Sequence, residues 1–170
     1  RSNNGYDFPS GSVMDADRNI YVTGSGEGRD GGLNVYTVCY DKHGAKRWED
    51  LYIQLYETGE SSIIAVDNNQ NTYVAMYAGG YNFNPIHAPG NPTYRMRLVK
   101  YDPNGNRVWD IYTPEEVYPG DIKIDQNGNI YVLGTLNYSV GPTEIILKKY
   151  DPSGTETWSR TLSWMNDNYG

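Results

Sequence analysis

Short runs in which apolar and polar residues alternate, bounded by Gly, Pro, Asn or Asp, recur along the chain. Alternation with period two marks half-buried strands, and punctuation of this kind marks the turns between them. One arrangement of run, turn and run appears three times. It reads Tyr40-Asp41-Lys42-His43-Gly44-Ala45-Lys46-Arg47-Trp48, then Tyr101-Asp102-Pro103-Asn104-Gly105-Asn106-Arg107-Val108-Trp109, then Tyr150-Asp151-Pro152-Ser153-Gly154-Thr155-Glu156-Thr157-Trp158. Pro presets φ for the first central position of a turn, and Gly takes the φ > 0 position that closes it. Each copy therefore predicts a β-hairpin.

A second signal precedes each hairpin: Val13 to Val22, Ala65 to Val74 and Lys123 to Val132, each a strand, an Asp-x-Asx-x-Asn turn and a strand ending in Tyr-Val. Asx side chains bond to backbone two residues on and tolerate left-handed φ, so this is turn chemistry too. Each unit thus offers four strands. They are predicted near 11–15, 19–24, 34–41 and 46–53; near 61–67, 71–77, 94–102 and 107–113; and near 120–125, 129–135, 144–151 and 156–162. Tyr21, Tyr73 and Tyr131 stand 52 and 58 residues apart, the excess coming from one long insert at 77–95.

A four-stranded antiparallel unit repeating every ~50 residues is the sequence form of a β-propeller blade, which must stack on neighbours to bury both faces. The expected fold is all-β, a single partial propeller of three blades at about 10–55, 60–115 and 119–163. A β-sandwich would not explain why the same hairpins return in the same order. The run from Asp125 through Asn129-Ile130-Tyr131-Val132 to Gly134, its counterpart from Asp15 to Gly24, and the hairpins Tyr101 to Trp109 and Tyr150 to Trp158 resemble the bacterial β-propeller repeats called SBBP, and more weakly NHL-type blades. The first unit departs from the pattern at Arg18, the second at Gln70 and Thr72. The resemblance covers all three units and implies an exported or surface bacterial protein; it says little about activity.

Closed propellers typically hold four or more blades. Asn3-Asn4-Gly5-Tyr6-Asp7 resembles Asn166-Asp167-Asn168-Tyr169-Gly170, so the chain is expected to open and close at equivalent points between blades, with two apolar faces open. Two copies pairing head-to-tail into a six-bladed homodimeric ring would cover them. A piece excised from a longer propeller is the other expectation, which a start on Arg1 without Met would suit.

Composition narrows the partners. Apolar residues make up only 38% of the 170, but 17 Tyr and 4 Trp supply large buried area with polar tips. A net charge of −7 and a pI near 4.7 argue against a nucleic-acid partner. No run approaches the ~20 apolar residues of a membrane helix. The single cysteine, Cys39, has no partner for an internal disulfide and reads as a small buried strand residue.

Candidate chemistry sits in the turns and in the irregular loops. In a meander the two stereotyped hairpins of each unit share one end, and the variable connections share the other, where function concentrates. The longest of these carries Tyr77, Tyr81, Phe83, His87 and Tyr94, aromatics that can stack on sugar rings or pack the loop onto its own blade. The Asp turns invite calcium: Asp15, Asp17 and Asn19, Asp67, Asn69 and Asn71, and Asp125, Asn127 and Asn129 match the first ligand positions of an EF-hand spacing. The closing Glu is missing, its places holding Gly26, Ala78 and Leu136, so Asx-capped turns are the plainer reading and no cofactor beyond calcium is expected. His43 and His87 lie apart, without zinc spacing. Gly24 to Gly28 precedes no helix, so it makes a poor phosphate loop. The sequence favours a non-enzymatic module that binds carbohydrate or protein, or one whose property is assembly itself. The alternative is a carbohydrate-active hydrolase or lyase with acids around a central channel.

Overall fold

The structure is a computed structural model, and it describes residues 7–27, 33–52, 57–80, 93–136 and 143–162. Twelve strands lie in it: β1 (Asp7–Met14), β2 (Ile20–Glu27), β3 (Leu33–Tyr40), β4 (Lys46–Tyr52), β5 (Glu57–Val66), β6 (Thr72–Gly80), β7 (Thr93–Tyr101), β8 (Arg107–Tyr112), β9 (Val117–Ile124), β10 (Ile130–Leu136), β11 (Glu144–Tyr150) and β12 (Glu156–Leu162). They form three four-stranded antiparallel meanders, β1 to β4, β5 to β8 and β9 to β12, hereafter sheets 1, 2 and 3. The expected fold is the observed one: all-β, in propeller-type blades.

The first strand of each sheet starts earlier than the alternation predicts, at Asp7, Glu57 and Val117. The reason is a β-bulge in each, between Pro9 and Gly11, between Glu60 and Ser62, and opposite Leu133 and Gly134. An extra unpaired residue breaks the period of two, and Pro and Gly nearby make the sequence read as loop.

Six turns join the paired strands at one end, and all are built alike. In each, the Asp amide donates to the carbonyl four residues on, and the amide three residues on donates to the Asp carbonyl, as with Asp102, Asn106 and Gly105. The closing residue has positive φ in every case: Gly44, Gly105, Gly128 and Gly154, but also Arg18 at 67° and Gln70 at 64°. The departures noted at Arg18 and Gln70 therefore leave the turn unchanged and place a side chain in strained left-handed backbone.

Sheets 1 and 3 pack on opposite faces of sheet 2. Tyr21, Val35, Cys39, Trp48 and Tyr52 of sheet 1 form one core with Val74, Met76, Val99 and Tyr101 of sheet 2. Tyr73, Ala75, Met96 and Leu98 from the other face of sheet 2 form the second core with Ile122, Ile130, Val132, Ile146 and Tyr150 of sheet 3. Strand β5 lies against β1, β2 and β3, and β9 against β5, β6 and β7, so the first strands sit side by side along the inner edge. Tyr21, Tyr73 and Tyr101 are fully buried, each worth more than an aliphatic residue in area removed from water.

Replacing Arg18 with Gly should relieve left-handed strain without loss of core contact. The expected gain is about 0.5–1 kcal/mol, the strain relieved less the entropy that Gly adds to the unfolded chain. Gln70→Gly should gain less, because Gln70 Nε2 also donates to Asp17 at 2.6 Å across sheets. Denaturant midpoints would measure both; equal gains would show that the Asp17 link contributes nothing.

Candidate functional site

The Asp turns are saturated by their own donors. Asp125 Oδ1 accepts from the amides of Asn127 and Asn129, both at 2.9 Å, while Oδ2 accepts from Asn129 Nδ2 at 2.8 Å and Tyr131 Oη at 3.2 Å. Asp67 accepts the same set from Asn69, Asn71 and Tyr73, and Asp15 from Asn19 and Tyr21. In all three turns the last Asn turns its amide nitrogen, not its oxygen, toward the carboxylate. Asp17 accepts from Gln70 of the next sheet, and Asn69 and Asn127 lie exposed at turn tips. Among the described residues no three or more His, Cys, Asp or Glu side chains cluster to hold a metal.

These donors tune the carboxyls. The Asn129 amide beside Asp125 and the Asn106 amide beside Asp102 hold both below the usual carboxylate range; Ser153 does so for Asp151 and the Ala45 backbone amide for Asp41. For Asp15, burial pushes the other way, but the bonds from Asn19, Tyr21 and the Asp17 amide outweigh it. Burial drives the Cys39 thiol up, in keeping with a small packed residue.

The predicted aromatic site divides. Tyr81, Phe83 and His87 lie outside the described residues. Tyr77 is buried at the irregular end of the joint between sheets 2 and 3, stacked on Tyr94 at 5.1 Å and tilted against Tyr118 at 5.1 Å, with its hydroxyl on Glu116. Tyr94 is half-buried. His43 sits elsewhere, at the regular-turn end, beside an open groove of about 340 Å³ lined also by Asp17, Asn19, Asp41, Lys42, Arg47 and Gln70.

The charged constellations that sequence reasoning missed lie in the joints. Between sheets 1 and 2, Arg107 makes a bidentate pair with Asp50 at 2.8 and 2.9 Å, and Tyr101 Oη donates to the same carboxylate at 2.8 Å. Arg97 pairs bidentately with Asp110 at 2.5 Å, and Tyr52 Oη reaches Asp110 at 2.9 Å. The Tyr52 ring receives both guanidinium groups at 4.4 Å from its centroid. Between sheets 2 and 3, the Lys148 side chain is 1% exposed and reaches Glu115 and Glu156, each at 2.9 Å. Aligning the repeats would have found it, since Val38 and Val99 hold that place in the other sheets.

No protein-family model matches the chain, and no curated protein matches it in sequence. Solved structures do. Two single-residue variants of the Synechocystis apocarotenoid oxygenase, a propeller-type fold, superpose with TM-scores of 0.57 and 0.56 at 10% and 9% identity. Each comparison covers 91% of this chain and 38% of the oxygenase. The chain thus spans well under half of those proteins, and identity this low shows the fold alone. That fold is an all-β stack of propeller blades.

Two measurements follow. Each depressed turn carboxyl binds a proton less readily when folded, so its stabilisation is present above the unfolded value near 3.8 and lost as pH falls through the folded one. Thermal midpoints should fall steeply below about pH 4, and a flat profile there would contradict the bonding pattern. Lys148→Met leaves Glu115 and Glu156 unpaired but partly solvated, so the expected cost is about 1–3 kcal/mol in denaturant titration.

Proposed function

We propose that the chain is a non-enzymatic β-propeller module that binds or scaffolds, and that two copies join as halves of one six-bladed ring. The observation that carries this reading is where its exposed apolar side chains lie. Of nine exposed large hydrophobic residues among the described ones, six fall on the two outward sheet faces: Met14, Ile20 and Leu51 on sheet 1, and Leu133, Ile145 and Leu162 on sheet 3. Patches of that kind mark surfaces meant to be covered. The joints between sheets 1, 2 and 3 supply the pattern for covering them.

A module rather than a catalyst is supported by how its carboxylates are engaged. Asp50 and Asp110 are held by arginines inside a joint, and Asp15, Asp67 and Asp125 by turn amides. The end opposite the regular turns carries the variable connections, and that is where a carbohydrate or protein ligand would be read. The resemblance to SBBP-type repeats supports placing the ring outside a bacterial cell or on its surface.

Light scattering on the purified chain at micromolar concentration tests the assembly. The expected mass is twice 19.2 kDa. A clean particle of 19.2 kDa would sink the proposal.

A further inference from the structure

The two joints inside the chain share one device. A Trp on the last strand of one sheet lies under the hairpin turn of the next, and the turn glycine sits on its ring. A Cβ built on Gly105 would come within 2.6 Å of the Trp48 ring, and one on Gly154 within 3.2 Å of Trp109. In the second joint, Trp109 Nε1 donates to the Pro152 carbonyl at 3.2 Å and Lys100 Nζ reaches the same oxygen at 3.4 Å.

Among the described residues, the outward face of sheet 3 repeats that surface without its occupant. The Lys149 ammonium lies 5.2 Å from the Tyr131 ring centroid, as Lys100 does from Tyr73. Tyr131 and Trp158 stand 6.2 Å apart at 62°, against 6.1 Å and 58° for Tyr73 and Trp109. The Arg160 guanidinium approaches the Trp158 ring loosely, at 5.8 Å from its centroid. At the other end of the stack, the sheet 1 turn has the matching shape: Gly44 has φ +82°, close to the +85° and +88° of Gly105 and Gly154, and a Cβ there would meet nothing within 4 Å. Lys42 occupies the turn place of Pro103 and Pro152. Sheet 2 stands between these two surfaces, so one chain cannot bring them together.

We infer that Trp158, Lys149 and Tyr131 of one copy receive the Lys42–Gly44 turn of a second copy, with Trp158 Nε1 and Lys149 Nζ donating to the Lys42 carbonyl. The contact is reciprocal, so two identical joints close the ring with two-fold symmetry. This rests on the homodimer reading above and assigns its interface.

Gly44→Asn and Trp158→Ala test it. Asn tolerates left-handed φ and has open space in the single chain, so Gly44→Asn should fold, yet its side chain would strike the Trp158 ring across the joint. Circular dichroism of both variants should match wild type. Each variant alone should lose the dimer at concentrations where wild type holds it. An equimolar mixture should regain it, because one joint of the mixed pair is native and the other sets the added Asn beside a missing ring. Variants that dimerise like wild type, or a mixture that stays monomeric, would overturn the assigned joint. A monomeric wild type would instead overturn the homodimer reading itself.

Discussion

A hairpin turn lying flat on the neighbouring sheet's tryptophan is the contact the rest of the stack depends on. It needs two things at once: a turn whose closing residue has no side chain, and a large flat ring on the last strand of the sheet before it. Trp48 is 8% exposed, tilted against Tyr21 at 6.1 Å and stacked on Tyr101 at 5.7 Å. The ring therefore bridges the second strand of its own sheet and the third strand of the next. Removing it would take away area on both sides of the joint, and loss of a buried aromatic costs on the order of 3–5 kcal/mol. The glycine serves two constraints together, positive φ and close approach, which is why Gly105 and Gly154 cannot be traded as Arg18 and Gln70 have been traded for glycine in the other turns. The Gln70 side chain instead reaches Asp17 of sheet 1 at 2.6 Å.

That division explains how the sequence could be read. Strand order and hairpins were legible because the Tyr-Asp-x-x-Gly-x-x-x-Trp spacing encodes turn and ring in one word, and the word is written three times. The onset of β1, β5 and β9 was not legible, because a bulged residue offsets the alternation just where Pro and Gly already weaken it. The Asp-x-Asx-x-Asn turns admit two readings in sequence, an Asx-capped turn first and a calcium loop second, because carboxylate and amide oxygens share a spacing. Spacing says nothing of which end of an amide points inward; in Asn19, Asn71 and Asn129 it is the nitrogen.

The joint chemistry was hidden for another reason. Asp50 and Arg107 stand 57 residues apart, and only stacking brings them face to face. Tyr77 shows the converse. It reads as a loop aromatic at the start of a long insert, but β6 runs on to Gly80, and the ring is inside the joint with Tyr94 and Tyr118.

The joints are alike in their aromatic device and unlike in their charges, and the difference fixes the order of the sheets. The repeat place of Asp50 is filled by Ile111 in sheet 2 and Arg160 in sheet 3, and that of Arg107 by Lys46 in sheet 1 and Glu156 in sheet 3. If sheet 3 packed on sheet 1 in place of sheet 2, Asp50 would meet Glu156, and Lys148 would lose Glu115, which belongs to the segment joining sheets 2 and 3. Like charges in a partly buried joint oppose association, and an unpaired buried ammonium opposes it more strongly. In the joint between copies Arg160 meets Lys46, a milder opposition because Lys46 is exposed and already paired with Glu49 of its own sheet at 2.8 Å. Tyr52 adds to the same selection, since its ring needs two guanidinium groups and its hydroxyl a carboxylate, and only sheet 2 offers all three. A repeat protein whose hairpins are interchangeable thus obtains a single register from a few charged positions laid over a common apolar and aromatic contact.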